Sequence, residues 1–173
     1  MIMIQETFPL TVGGEEVLDE RSLLSRVESG AMMSGADAVR FLVVHCSATR
    51  SDCDYSVERL LRDHKARGFR TIGYHFYISR CGVVTQHRRL LEVGAHARGV
   101  NRCSIGLCYE GGLDARGQPA DTRTAQQKMA MLELLQKLHR LFPGALIVGH
   151  RELPGVKKAC PCFDCGEYRE LLV

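Results

Sequence analysis

The stretch "VRFLVVHCSAT", residues 39–49, combines β-branched and aromatic residues in a run too short for a free-standing helix. Such a run is typical of a buried strand. We expect the strand to end near His45, where the apolar residues give way to small polar ones.

Three helices are predicted after the strand. One begins at about Ser56, which can cap "VERLLRDHKAR", and ends at Gly68. The clearest is "TAQQKMAMLELLQKLHRLF", residues 124–142, which a Pro-Gly pair ends. Its apolar residues at near-helical spacing are Met129, Leu132, Leu135 and Leu138. A short last helix is expected before "YRELL", where Asp164 and Glu167 have capping-box spacing.

Further strands alternate with these helices. "IGYHFYIS" (residues 72–79) and "GVVTQHR" (residues 82–88) flank a glycine-containing turn and indicate a β-hairpin. "SIGLCYEG" (residues 104–111) and "ALIVG" (residues 145–149) are the other strand candidates. This order predicts an α/β fold: a single domain with a central mixed β-sheet flanked by helices.

Composition narrows the class of protein. The 173 residues are 45% apolar and 25% charged, as in ordinary soluble globular proteins. The net charge of +3 is too small to imply a nucleic-acid partner. No apolar stretch approaches the roughly 20 residues of a membrane helix, so we expect no membrane insertion. The start, "MIMIQETFPL", does not resemble a secretory signal, so we expect cytoplasmic synthesis without a signal peptide.

The first 36 or so residues are expected to form an extension to the main domain, which would span residues 37–173. Within the extension, "EEVLDERSLLSRVES", residues 15–29, places apolar residues among charges and suits a short amphipathic helix. "GAMMSGADA", residues 30–38, has the small, flexible composition of a linker.

Cysteine is frequent in this chain. Its eight cysteines are Cys46, Cys53, Cys81, Cys103, Cys108, Cys160, Cys162 and Cys165. Without a secretion signal, reduced thiols are expected, and metal binding is the competing explanation for any cluster. Outside such a cluster, small buried groups are the simplest explanation for them.

Two histidines share a notable position. His45 and His150 each stand at the carboxyl end of a predicted strand, where α/β sheets commonly place ligand sites. "VGHRELPGVKKACPC", residues 148–162, also brings Cys160 close to His150. Two imidazoles and a thiolate suit zinc and leave a fourth position for water, as a catalytic site requires. Such a metal can polarise a carbonyl and lower the pKa of its water.

The residues alone leave other interpretations open. Cys160, Cys162 and Cys165 form C-x-C-x-x-C, which with His150 can close a structural zinc site that has no free position. A histidine at the end of a strand is also commonly just a hydrogen-bonded residue.

Four segments, in order, resemble successive motifs of the zinc-dependent N-acetylmuramoyl-L-alanine amidases. They are similar above all to the amidase-type lysozymes of tailed phages, and more distantly to peptidoglycan recognition proteins. The segments are "VVHCSAT" (residues 43–49), "GYHFYISRCG" (residues 73–82), "VGAHARGVNRCSIGLCYEGG" (residues 93–112) and "GHRELPGVKKACPCFD" (residues 149–164). The resemblance covers about residues 39–163 and implies an amidase-like fold.

The resemblance implies a set of metal ligands and two accessory residues. It implies that His45, His150 and Cys160 hold Zn²⁺, since Cys160 occupies the "K-x-C-P" position. It also implies that Tyr74 and Lys158 act beside the metal. Lys158 would stabilise the developing oxyanion, and Tyr74 would orient the water or assist proton transfer.

Other residues receive weaker or no roles. The resemblance places His96 near the substrate groove, and Arg98 and Asn101 are candidates to reach the peptide stem or to organise the loop. Lys157 lies outside the matching position and is expected to be solvated. The histidines expected to be surface or packing residues are His64, His87 and His139.

The resemblance implies hydrolysis of the bond between N-acetylmuramic acid and L-alanine in bacterial peptidoglycan. A phage or prophage endolysin fits the missing signal, because a separate pore-forming protein can release such an enzyme to the cell wall. A bacterial enzyme of wall recycling or remodelling is the alternative source. A non-catalytic peptidoglycan-binding module is the rival function, but all three ligand types and both accessory residues are present, which favours an enzyme.

Overall fold

The computed structural model describes residues 11–12, 15–16 and 30–172. Within these residues the structure has nine strands: β1 (Thr11–Val12), β2 (Glu15–Glu16), β3 (Phe41–Cys46), β4 (Thr49–Arg50), β5 (Phe76–Ile78), β6 (Val84–Gln86), β7 (Ser104–Tyr109), β8 (Gly112–Leu113) and β9 (Leu146–Gly149). Three α-helices are α1 (Val57–Ala66), α2 (Ala125–Leu141) and α3 (Gly166–Leu171). Short 3₁₀ turns span Ala36–Ala38, Asn101–Cys103 and His150–Glu152. The three helices predicted after the first strand, the hairpin and the other predicted strands are therefore confirmed.

One mixed sheet organises the molecule. Its strand order is β2-β1-β6-β5-β7-β3-β9, and β4 pairs with β8 in a separate ribbon. Strand β3 pairs in parallel with both β7 and β9, while β5 and β6 form the antiparallel hairpin. Residues 42–46 of β3 are all buried, as their apolar run predicts. This arrangement confirms the predicted α/β fold with a central mixed sheet.

The two faces of β3 serve different purposes. Leu42 and Val44 belong to the main hydrophobic cluster, which also contains the buried side of α2. Val43 belongs to a separate cluster with Ala97 and Val148. Because side chains alternate along a strand, His45 points to the same face as Val43 and away from α2. The main cluster therefore fills one face of the sheet, and the other face carries the smaller cluster and His45.

The buried face of α2 includes only some of the apolar residues noted at near-helical spacing. Leu135 and Leu138 are buried, but Met129 is 52% exposed. The buried residues of the helix are Gln127, Ala130, Met131, Leu134, Leu135 and Leu138. Apolar residues occur around much of this helix, so near-helical spacing alone did not identify the face that packs on the sheet.

Of the two helix starts with a predicted cap, one follows the prediction. Ser56 accepts a hydrogen bond from the Arg59 amide at the start of α1. The capping box predicted for the last helix does not form. Asp164 accepts from the Gly166 amide, whereas Glu167 instead accepts from the buried Arg123 guanidinium at 2.6 Å.

The chain before the main domain joins the edge of the sheet where the structure describes it. Strand β1 pairs in parallel with β6, and β2 pairs with β1. Glu15–Glu16, which the sequence places at the start of an amphipathic helix, lies in β2, and residues 17–29 of that helix lie outside the described residues. In the segment expected to be a linker, Met33 is buried and its amide donates to the Leu91 carbonyl.

No helix among the described residues has the length and apolar character needed to cross a membrane.

Candidate metal centre

Two parallel strands bring the histidines together. Val44 of β3 is in register with Gly149, the last residue of β9. His45 of β3 therefore lies beside His150, which begins the 3₁₀ turn after β9. Their ring centroids lie 4.5 Å apart. The carboxyl ends of parallel strands meet at one edge of a sheet, which is where ligand sites of α/β folds commonly lie.

Cys160 completes a group of three ligand atoms. The nitrogen atoms of His45 and His150 and the sulfur of Cys160 all lie within 4.8 Å of one another. The loop that carries Cys160 is fixed by a hydrogen bond from the Arg151 amide to the Cys160 carbonyl at 2.7 Å. The Cys46 amide donates to the Cys160 sulfur at 3.3 Å, which joins this loop to β3.

The spacing of these atoms fits a zinc ion. Bonds of about 2.0 Å to nitrogen and about 2.3 Å to sulfur, at tetrahedral angles, place the ligand atoms roughly 3.6 Å apart. The Cys160 sulfur lies 3.8 Å from Nδ1 of His45. Three protein ligands of this kind leave a fourth position, which is the arrangement of catalytic zinc sites.

The protonation states also suit a metal. Burial, together with the charges of His96, His150 and Lys158, holds the pKa of His45 well below its ordinary value. The pKa of His150 is lowered as well, by burial and by the Lys158 charge. Both imidazoles are therefore neutral at pH 7, which is the form that binds metal.

The structural-zinc alternative does not form. The Cys162 sulfur lies beside the Cys46 sulfur at 3.9 Å, and Cys165 is 1% exposed within the main hydrophobic cluster. Over the part of the chain that the structure describes, His45, His150 and Cys160 are the only group of three such ligand atoms. The C-x-C-x-x-C spacing suggested a shared metal site, but the sulfurs of Cys160, Cys162 and Cys165 do not converge on one point.

Tyr74 and His75 make different contacts, because successive side chains of an extended segment point to opposite faces. The Tyr74 ring centroid lies 5.1 Å from that of His45. Burial and the neighbouring Cys108 thiol raise the pKa of Tyr74 well above its ordinary value, so the phenol stays protonated. His75 instead accepts from the Gly106 amide through Nδ1 and contacts the Glu92 carbonyl through Nε2.

An open cleft lies beside the three ligand atoms and has a basic rim. Its lining residues are His96, Arg98, His150, Gly155, Val156, Lys157 and Lys158. Lys158 is exposed, and its charge lowers the pKa of both His45 and His150. Lys157 is also exposed, in agreement with the prediction that it is solvated.

The loop candidates fall into two groups. Arg98 is exposed at the cleft, within reach of a ligand. Asn101 instead organises the loop, because its side-chain oxygen accepts from the amides of His96 and Ala97, each at 2.9 Å. His96 both lines the cleft and contacts His45, with His96 Nδ1 lying 3.0 Å from His45 Nε2.

The remaining cysteines and histidines lie outside the centre. All eight cysteines are free thiols, but Cys53 and Cys81 are exposed, so small buried groups do not account for them. His64 is buried and accepts from the Gly73 amide, which confirms a packing role. Sequence reasoning missed the Cys46 amide and Ser104, because contacts between distant strands leave no signal in residue spacing.

One end of the mixed sheet places two imidazoles and one thiol, the ligand types of catalytic metal centres, beside an open cleft. Residues 35–163 match the family model described as N-acetylmuramoyl-L-alanine amidase, and the chain belongs to that family. The protein is therefore a peptidoglycan amidase, as its motifs predict.

Curated relatives agree with this family. The chain is 41% identical over 121 residues to the endolysin of Enterobacteria phage K11, an alignment that covers 70% of this chain and 79% of that protein. It is 38% identical over 129 residues to the endolysin of Escherichia phage T7. That alignment covers 75% of this chain and 84% of the phage protein.

Solved structures share the fold. An endolysin amidase from Clostridium intestinale superimposes with a TM-score of 0.67 at 23% identity and covers 84% of this chain and 92% of that chain. An ectodomain complex of peptidoglycan recognition proteins bound to tracheal cytotoxin has a TM-score of 0.61 at 25% identity, with 78% and 81% covered. These likenesses confirm the expected amidase and peptidoglycan-recognition-protein architecture.

Proposed function

We propose that this protein hydrolyses the amide between N-acetylmuramic acid and L-alanine in peptidoglycan, using Zn²⁺ held by His45, His150 and Cys160. The observation that carries the proposal is the convergence of these three ligand atoms, all within 4.8 Å of one another, beside a cleft. A zinc ion in that position supplies Lewis-acid activation of water and of the scissile carbonyl.

Lys158 is proposed to stabilise the negative charge that develops on the carbonyl oxygen. It lines the cleft beside His150 and stands two residues before Cys160. A cation placed where charge develops stabilises the transition state more than the ground state, which is the requirement for catalysis.

Tyr74 is proposed to act as a hydrogen-bond donor. Its ring lies 5.1 Å from that of His45, and burial keeps its phenol protonated because the pKa is raised. A protonated phenol can orient the attacking water or donate toward the departing nitrogen, but it cannot be the general base at neutral pH.

The cleft is proposed to bind the peptide stem. Arg98 and Lys157 give it a basic rim, which suits the carboxylates of a stem peptide. His96 lines the same cleft, and Asn101 holds the loop that carries His96 and Arg98.

The proposed biological role is that of a phage or prophage endolysin. The alignments with phage endolysins, which extend over 70% and 75% of this chain, support this role. The protein would reach the cell wall after release by a separate pore-forming protein.

Digestion of purified peptidoglycan tests the proposal. We expect mass spectrometry to detect free stem peptides with an L-alanine amino terminus, together with uncleaved glycan strands. Cys160→Ala should abolish this release, because zinc is lost with one of its three ligands. Glycan fragments as the main product, or wall binding without any released peptide, would contradict the proposed amidase and favour another hydrolase or a binding module.

A further inference from the structure

A chain of hydrogen bonds runs from His45 away from the cleft. His45 Nε2 lies 3.0 Å from His96 Nδ1. His96 Nε2 lies 3.3 Å from the Ser104 hydroxyl oxygen. That hydroxyl in turn donates to the Val100 carbonyl at 2.7 Å. The chain therefore links a metal ligand to the backbone through two side chains.

The donor and the acceptor of each hydrogen bond can be assigned by starting from the Val100 carbonyl. A serine hydroxyl has one proton, and here it is directed to the Val100 carbonyl. Ser104 must then accept the proton of His96 Nε2. A neutral imidazole carries one proton, so Nδ1 of His96 is an acceptor, and Nε2 of His45 must be the donor. The remaining lone pair of His45 is on Nδ1, which is 3.8 Å from the Cys160 sulfur.

We propose that His96 and Ser104 are positioning residues that fix the tautomer and the ring orientation of His45, so that Nδ1 presents its lone pair to the metal. The inference rests on the proposed zinc site. Partners of this kind orient metal-binding histidines and raise the basicity of the ligating nitrogen.

The surroundings of His96 are built to hold its ring in one place. A Cβ atom at Gly106 would lie 2.5 Å from the ring carbon Cγ, and one at Gly94 would lie 2.6 Å from Cδ2. Both positions must therefore lack a side chain for the ring to fit. The Asn101 side-chain oxygen accepts hydrogen bonds from the backbone amides of His96 and Ala97, which fixes the backbone around His96.

Nitrogen-15 NMR of the metal-free protein at about pH 8 tests the tautomers, since imidazoles are neutral there. We expect the proton on Nε2 of both His45 and His96. In Ser104→Ala we expect His96 to lose its single tautomer. A proton on Nδ1 of His45 in the metal-free protein would overturn the proposal.

Zinc affinity, measured by competition with a chromophoric chelator, gives a second readout. We expect His96→Phe to weaken zinc binding by about 10- to 100-fold. His96→Asn places an acceptor oxygen at the position of Nδ1 and should restore most of the affinity. His87→Phe is the matched control, because His87 is a half-buried histidine that contacts Thr85 and not the centre, and it should bind zinc as the wild type does.

The outcomes separate this proposal from the proposed function. Wild-type zinc affinity in both His96→Phe and Ser104→Ala would overturn the positioning role even if the enzyme releases stem peptides. If His96→Phe does not fold, Ser104→Ala alone decides, with a several-fold loss of affinity expected. Conversely, the tautomers and affinities can follow the prediction in a protein that proves not to cleave peptidoglycan.

Discussion

At the scale of single residues, His45 connects the fold to the chemistry. Its backbone belongs to β3, it is 2% exposed, and its ring nitrogens face Cys160 on one side and His96 on the other. Burial lowers its pKa and so keeps it neutral, which prepares it to bind a metal. His45 therefore contributes both to the packing of the sheet and to the proposed metal site.

A lysine pair provides a sharp test of the residue roles. Lys158→Gln should retain bound zinc but lower kcat by about 10²- to 10³-fold, because the charge that stabilises the oxyanion is removed. The matched variant Lys157→Gln removes a neighbouring exposed charge at the same rim and should change kcat by less than about threefold. Steady-state release of stem peptides measures both. Equal losses in the two variants would show that the rim acts only through its overall charge.

The residue types of the centre could be predicted from the sequence, but not all of their contacts. His45, His150 and Cys160 were predicted from strand ends and motif resemblance, and the structure brings them together. The roles of His96 and Asn101 depend on which backbone amides and ring atoms lie nearby. Those contacts arise only once the loop is folded, so residue types and spacing did not determine them.

At the scale of elements, the start of α2 joins the helix to the hairpin. The Thr124 hydroxyl accepts from the Gln127 amide, and the Gln127 side chain accepts from the Thr124 amide, which forms a capping box. Thr124 also donates to the Arg80 carbonyl at 2.6 Å, and buried Gln127 donates to the Ile78 and Glu110 carbonyls. The cap is therefore also a tertiary contact.

Thr124→Ala should lower the free energy of unfolding by about 1 to 2 kcal/mol, since the helix loses its cap and the partly buried Arg80 carbonyl loses its donor. Gln126→Ala changes an exposed residue of the same turn and should have an effect within about 0.5 kcal/mol. Urea unfolding monitored by circular dichroism measures both variants. A loss for Gln126→Ala as large as that for Thr124→Ala would contradict the assigned cap.

Local signals predicted most elements, and tertiary contacts account for the differences. The Ser56 cap is local and was predicted. The predicted cap of α3 was wrong, because Arg123 offers Glu167 a charged partner that the sequence spacing does not reveal. Met129 is a second case in which local spacing is not enough. It belongs to the apolar residues at near-helical spacing, but the sheet packs against a different face of α2.

At the scale of the whole molecule, the sheet order creates the centre. The chain reaches β9 about 100 residues after β3, yet the two strands are adjacent and in register. The sequence predicts an α/β fold with a mixed sheet, but periodicity does not state which strands are neighbours. Resemblance to the amidases supplied that information indirectly, by implying which residues share a metal.

Stability should depend on pH through buried neutral histidines. Burial lowers the pKa of His75 to about 4, from about 6.5 in the unfolded chain. The contribution of His75 to the free energy of unfolding is therefore fully present above about pH 6.5. It is lost as the pH falls toward 4, because the unfolded state takes up the proton first.

We expect the free energy of unfolding of the metal-free protein to fall by about 2 kcal/mol or more between about pH 7.5 and pH 5. His75 accounts for about that amount, and the lowered pKa values of His45, His96 and His150 act in the same direction. Urea titrations at the two pH values measure the change. Equal stability at both would show that these histidines are not held neutral in the fold.

X-ray absorption at the zinc edge, on the zinc-loaded protein, tests the central claim most directly. We predict two nitrogen ligands at about 2.0 Å, one sulfur at about 2.3 Å and one further light-atom ligand. Cys162→Ser should give the same spectrum, because its sulfur lies beside Cys46 and does not join the group of three. Two or three sulfur ligands in the wild type, or loss of a sulfur in Cys162→Ser, would contradict a catalytic centre built from His45, His150 and Cys160.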